Sequence, residues 1–147
     1  MKNYLAPVVL SLSLGGCVSV PMADATRNAE VKQFAPKKEV GQIYVCRNSR
    51  TFGMGIRPDI EVNGKIVGVI PRSTFIYQEL KPGYHTIVSK TLEHDSKFPF
   101  EITAGEQKFF QVWISLGFFA GWGLIDEIDA AKGRACVSEG ELVESAN

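Results

Sequence analysis

Charge of one sign, histidine and long apolar runs are what this chain has least of. Its 16 basic and 16 acidic side chains cancel over 147 residues. A protein that binds nucleic acid by displacing counterions needs a basic field, so the balance argues against that class, a local patch aside. The 2 histidines, His85 and His94, belong to no spaced His/Cys/Glu cluster, and no metal site is expected. There is no GxSxG, no phosphate-binding loop and no dinucleotide fingerprint. His94, Asp95 and Ser96 are the residue types of a hydrolytic triad, but neighbours in one loop cannot orient one another as base, orienter and nucleophile must. Glu61, Glu79 and Glu101 are spread along predicted strands, and Gly53-Met54-Gly55 is too short to cradle a phosphate. No catalytic residue and no cofactor is nominated, and enzymatic activity is not expected. The uncharged run 109–125 includes Gln111 and three glycines, short of the about 20 apolar residues of a membrane-spanning helix.

Turn chemistry is what the chain does have. Asn63-Gly64 lies between Ile60-Glu61-Val62 and Lys65-Ile66-Val67, and Asn-Gly tolerates the positive φ that a two-residue hairpin loop demands. Gly68 interrupts the second strand, where a bulge or a close backbone approach is expected. Residues 74–80 read as a third strand. Lys81-Pro82-Gly83-Tyr84 suits a type II turn into a fourth over 84–92. The expectation is a strand over 41–47 and an antiparallel meander, followed by strands at 97–103, 108–114 and 124–129, a turn at 131–133 and a short final strand at 134–137. Pro99 favours a sheet edge, because it cannot donate to a ladder. The strand at 108–114 is apolar on both faces, as in a central strand or one whose outer face is covered. The predicted class is all-β: an antiparallel β-sandwich or partly open barrel of about 7–8 short strands.

The amino terminus carries an address. Lys2, the apolar run 5–14 and the small residues Gly15 and Gly16 before Cys17 read as an export signal over 1–16. Leu14-Gly15-Gly16-Cys17 resembles the lipobox of bacterial lipoproteins, and that resemblance implies diacylglycerol on the Cys17 thiol and an acyl group on its new amine. Two or three acyl chains, at about 0.8 kcal/mol per buried CH₂, hold a protein at a membrane almost irreversibly. Val18 follows the cysteine, and the absence of Asp there resembles an outer-membrane passenger, facing the periplasm. In a cell with no outer membrane the anchor would leave the chain at the cell surface. Residues 17–40 are expected to form a tether, with Asp24 placed to cap a short helix and Pro36 to stop it. The sandwich follows over 41–140 and a tail over 141–147.

Gly41-Gln42-Ile43-Tyr44-Val45-Cys46-Arg47, the upstream Lys32-Gln33-Phe34-Ala35-Pro36, Val62-Asn63-Gly64-Lys65 and Leu80-Lys81-Pro82-Gly83-Tyr84-His85 resemble a family of bacterial lipoproteins, domain-of-unknown-function family 2846. The resemblance covers most of residues 30–137. The family more often has an aromatic residue at position 46 and Asp at 63. The hairpin followed by Pro-Gly-x-His also resembles the PEGA class of small β-sandwich modules. The resemblance implies fold and address, and no functional residues come with it.

Cys46 and Cys136 remain once Cys17 is acylated, and an even pair in an exported chain reads as a disulfide joining the first and last strands of the domain. Two buried free thiols are the alternative. Closing about 90 residues would contribute about 4.5 kcal/mol by chain entropy. Arg47, Arg50, Arg57 and Arg72 form an anion patch if the fold gathers them, and scattered solvated charge otherwise. His85, just after the Pro-Gly turn, reads as structural. Residues 116–124 combine three glycines with Phe118, Phe119 and Trp122. Either these aromatics meet a partner protein or the lipid surface beside the anchor, or they fold back to cover a sheet. The expected function is a lipid-anchored, non-enzymatic envelope binding or assembly module. The alternative is a carrier of a lipid or other small apolar ligand in an open barrel.

Overall fold

The computed structural model describes residues 19–50 and 52–146. The export signal and Cys17 lie outside the described residues. Helix α1 (Ala25–Val31) precedes eight strands: β1 (Gly41–Arg47), β2 (Asp59–Val62), β3 (Lys65–Val69), β4 (Thr74–Leu80), β5 (Gly83–Lys90), β6 (Asp95–Ile102), β7 (Gln107–Ser115) and β8 (Trp122–Ile128). Helix α2 (Ala130–Glu139) and the two-residue strand β9 (Glu141–Leu142) follow. One sheet has the order β8-β7-β1-β4-β9 and the other β3-β2-β5-β6. They stack as an open β-sandwich, with no closed barrel.

Alternation along the strands builds the two apolar layers. Ile43, Val45, Ile76, Phe110 and Val112 of the larger sheet meet Ile60, Val62, Ile87, Phe100 and Ile102 of the smaller one. The Phe110 ring contacts Phe98 and Phe100 across the interface at 5.7 and 4.9 Å between centroids. The opposite side chains, Tyr44, Cys46, Phe75, Tyr77 and Phe109, point outward from the larger sheet and are buried beneath the helices. Strand β7 therefore lies inside its sheet, as one of the two readings of its apolar faces predicts, and its outer face is covered at Phe109 but exposed at Trp113.

The Asn63-Gly64 turn has φ of 52° and 82° at its two residues, as the dipeptide demands. The β2–β3 register shifts between Ile60 and Glu61, opposite the stretch interrupted by Gly68. Strand β6 lies at a sheet edge, where Pro99 costs no ladder bond.

The meander is corrected. Strand β4 leaves its sequence neighbours and pairs antiparallel with β1, while β2 pairs with β5. The chain crosses between sheets at 70–73, where Ser73 has φ 58° and the Thr74 hydroxyl donates to Pro71 O at 2.7 Å. It crosses back at 81–82. Phe75, Ile76 and Tyr77 make β4 apolar on both faces, and only the larger sheet offers cover on both. Local turn chemistry cannot choose between a hairpin and a crossing.

The carboxy-terminal part is corrected too. Residues 131–137 form no turn and strand. They lie in α2, capped by Asp129, which accepts the Lys132 N–H at 2.9 Å. Gly133 faces Phe109 so closely that a β-carbon there would overlap the ring. It is a packing glycine, not a turn glycine. Residues 141–143 belong to the sandwich: β9 extends the sheet beside β4, and Val143 is buried in the core.

The segment before β1 is docked. Asp24 caps α1 by accepting the Arg27 N–H at 2.9 Å, Met22 bridges Val143, and Asn28 joins α1 to Glu141 and Leu142. Phe34 packs on Tyr44 and Phe109 at 5.3 and 6.0 Å. The described part of 17–40 is thus a short helix lying on the fold.

Candidate interaction surface

Strand directions decide which loops share an end. Strands β1, β3, β5 and β7 finish where β2, β4, β6 and β8 begin, so the connections 48–58, 70–73, 91–94 and 116–121 gather at one end of the sandwich. The opposite end holds the short links at 63–64, 81–82 and 103–106.

The first end is an apolar crown. Leu92, Phe118, Phe119 and Leu116 are 96%, 88%, 90% and 77% exposed, and Phe52, Met54, Trp113 and Trp122 are exposed beside them. Phe118 and Phe119 contact each other edge to face at 5.2 Å. The 116–124 stretch therefore does not fold back over a sheet, and of the two sequence-based expectations only exposure stands. Phe118 and Phe119 share the loop 116–121, and Trp122 begins β8 directly after it. Leu92, Phe52 and Met54 join them from loops far away in sequence. Nothing in the local pattern of those loops separates their apolar residues from core, and only the strand order brings them together.

The crown is held by polar groups. The Glu93 carboxylate accepts N–H bonds from Phe118 at 2.7 Å, Ala120 at 2.6 Å and Phe119, and from the Trp122 indole at 3.1 Å. Desolvation pushes the Glu93 carboxyl up, but the Ala120, Phe119, Phe118 and Trp122 donors outweigh it and hold it below the usual range. His94 stacks on Trp122 at 4.9 Å. Gly117 is required because a β-carbon there would strike the Glu93 carboxylate, and Gly121 sits at φ 82°. Glu93 is the residue that sequence reasoning missed. A lone acid following a strand carries no local mark of its loop-organising role.

Arg47 is buried and does not join an anion patch. Its guanidinium donates to Gly53 O at 2.7 Å, to Ile70 O at 3.1 Å and to Ile56 O, tying the loop at 52–58 to the crossing at 70–73. Burial lowers its pKa, and the nearby Arg72 charge lowers it further. Arg50, Arg57 and Arg72 are exposed at the crown end.

The other nominated residues resolve simply. Cys46 and Cys136 are bonded, with Cα atoms 6.1 Å apart; the bridge joins β1 to α2 and not to a last strand. His85 is held between Asn63 Nδ2 at 2.7 Å and Lys81 O at 2.8 Å, so Nε2 donates to the carbonyl and Nδ1 accepts from the amide. It braces the two turns. Ser96 Oγ accepts the Ile125 N–H while His94 lies on Trp122, so the three triad-like residues are not aligned. Glu61 pairs with Lys90 and Glu79 with Lys37. No group of three metal-ligating side chains occurs among the described residues, and no helix there is long and apolar enough to cross a membrane.

A two-sheet β-sandwich with an apolar loop end defines the class of protein. The chain belongs to the family described as "Protein of unknown function (DUF2846)", which matches residues 37–122, a stretch that holds all the crown loops. It is also similar to Protein ea59 of Escherichia phage lambda, 30% identical over 74 residues, which are 50% of this chain and 14% of that protein. The chain thus spans only a small part of that relative's length. No solved structure matches it.

Proposed function

We infer that the protein is an exported, lipid-anchored, non-enzymatic binding module of the cell envelope, held by acylated Cys17 and engaging its target through the crown. Cys17 after Leu14-Gly15-Gly16 supports the anchor, and the Cys46–Cys136 bridge suits an oxidising compartment. In a diderm cell the address is the periplasmic face of the outer membrane.

The observation that carries the reading is the crown itself. An aromatic loop without a task would be covered or replaced by polar residues, whereas here Glu93 holds Phe118 and Phe119 in place while both remain exposed. Large apolar side chains preset in one conformation lose little entropy on binding.

Photo-crosslinking in intact cells tests this, with the probe amino acid at Phe118 and a control at exposed Lys65. Adducts from position 118 alone are expected. Crosslinks confined to the chain itself would remove the crown as a binding surface.

The carrier reading retains one support. A groove of about 440 Å³ lined by Val20, Ile66, Val69, Val143 and Ala146 is mostly apolar. The space between the sheets is filled by the core side chains. A carried ligand would therefore sit in that outer groove, and lipid co-purifying with the protein and lost on Ile66→Asp would favour it.

A further inference from the structure

We propose that the crown docks on a lipid surface, its apolar tips entering the headgroup region of an anionic membrane while Arg50 and Arg72 meet the phosphates. The proposal rests on the anchored-module reading and names its target.

Backbone polarity is the first argument. Entering a bilayer is costly for any loop whose amides lose water without a substitute. The N–H groups of Phe118, Phe119 and Ala120, and the indole N–H of Trp122, already end on the Glu93 carboxylate. The tip arrives with these donors satisfied.

Residue types and their arrangement are the second. The most exposed apolar groups at this end, Leu92, Phe118, Phe119 and Leu116, belong to connecting loops and not to the face of a sheet. A protein partner would need a matching pocket for each, whereas lipid tails accommodate any apolar shape. Tryptophan favours the boundary between headgroups and acyl chains, and Trp113 and Trp122 lie at the base of the projecting residues.

Charge is the third. Arg50, Arg57 and Arg72 are exposed at this end. Acids share this end: Glu93 keeps its charge among the loop donors, Asp59 and Asp95 open β2 and β6 on either side of Lys90, and Lys90 itself is bonded to Glu61 at 3.2 Å. Arg50 and Arg72 stand exposed among them, placed to meet headgroup phosphates.

The position of the anchor is the fourth. Cys17 precedes Ser19 by two residues, a span of at most about 7 Å. Ser19 and Val20 line one groove with Arg57, and Arg57 lines the next with Leu92 and Ala120. The chain's entry point and the crown therefore adjoin, and one membrane plane is within reach of both.

The 2 tryptophans of the chain both belong to the crown, so their fluorescence reads it selectively. The acylated mature protein is reconstituted into equimolar phosphatidylglycerol–phosphatidylcholine vesicles, with and without brominated acyl chains, and flotation reports the anchor separately. The expected result is tryptophan quenching by the brominated lipid. Combined Phe118→Ser and Phe119→Ser, or Leu92→Ser alone, should cut it at least about twofold with flotation unchanged. Arg50→Glu with Arg72→Glu should lower quenching to the level seen in pure phosphatidylcholine. Flotation without quenching would overturn docking and leave the anchored module standing. Flotation and quenching both unchanged in Cys17→Ser, which carries no acyl group, would overturn the anchor and leave docking standing. A single protein adduct at position 118 with unquenched tryptophan would assign the crown to a protein.

Discussion

The molecule has two aromatic surfaces and treats them oppositely. On the outer face of the larger sheet, Tyr44 stacks on Phe109 at 4.9 Å and contacts Tyr77 at 5.1 Å, and all three are buried beneath α1, Phe34 and α2. Burial there pushes the Tyr44 hydroxyl up to about 12. At the crown, Phe118, Phe119 and Leu92 have no such cover. The same chain that spends two helices and a disulfide on one apolar face leaves the other open and braces it with Glu93. Cover is thus available to this fold, and its absence at the crown marks a surface kept for something outside the chain.

Breaking the covered surface should have the largest effects. Replacing Cys46 and Cys136 by serine releases α2 from β1 and should lower stability by about 4.5 kcal/mol, read from the denaturant midpoint. Two reactive thiols in the denatured, unreduced wild type would contradict the bridge outright. Phe109→Ala, at the centre of the ring cluster, should cost about 3–5 kcal/mol by opening a cavity under α2.

The crown should respond differently. Glu93→Gln leaves part of the four-donor set unmet, so the amides of Phe118, Phe119 and Ala120 should lose hydrogen-exchange protection while the core keeps its own. Acid should do the same. Because the folded carboxyl is held below its ordinary value, its contribution is complete above the ordinary carboxylate range and is lost as pH falls through the folded value. Loop protection that persisted unchanged into strong acid would count against Glu93 as the brace. The smallest change in stability belongs to Phe118→Ser with Phe119→Ser, expected within about 0.5 kcal/mol because both rings are already in solvent. A large destabilisation would mean that the crown is core after all, and the contrast between the two surfaces would vanish.

Much of this architecture is legible in the residues alone. Asn63-Gly64 determines a hairpin because few dipeptides accept two positive φ angles, and Pro99 determines an edge because it lacks an N–H. The two-faced apolar pattern of β7 and the capping role of Asp24 follow equally from local chemistry. Helix α2 was hidden because Gly133 reads as a turn residue, and its true reason, the Phe109 ring above it, lies on another strand.

Strand partnership was decided only by the tertiary structure. A turn determines how the chain bends, but which sheet receives β4 depends on where Phe75, Ile76 and Tyr77 can all be buried, and that cover comes from elements distant in sequence. The crown obeys the same rule. Its apolar residues lie in three separate stretches, at 52–54, 92 and 113–122, made into one exposed surface by strand direction, and the last of them is held by a carboxylate more than 20 residues upstream of the loop it braces.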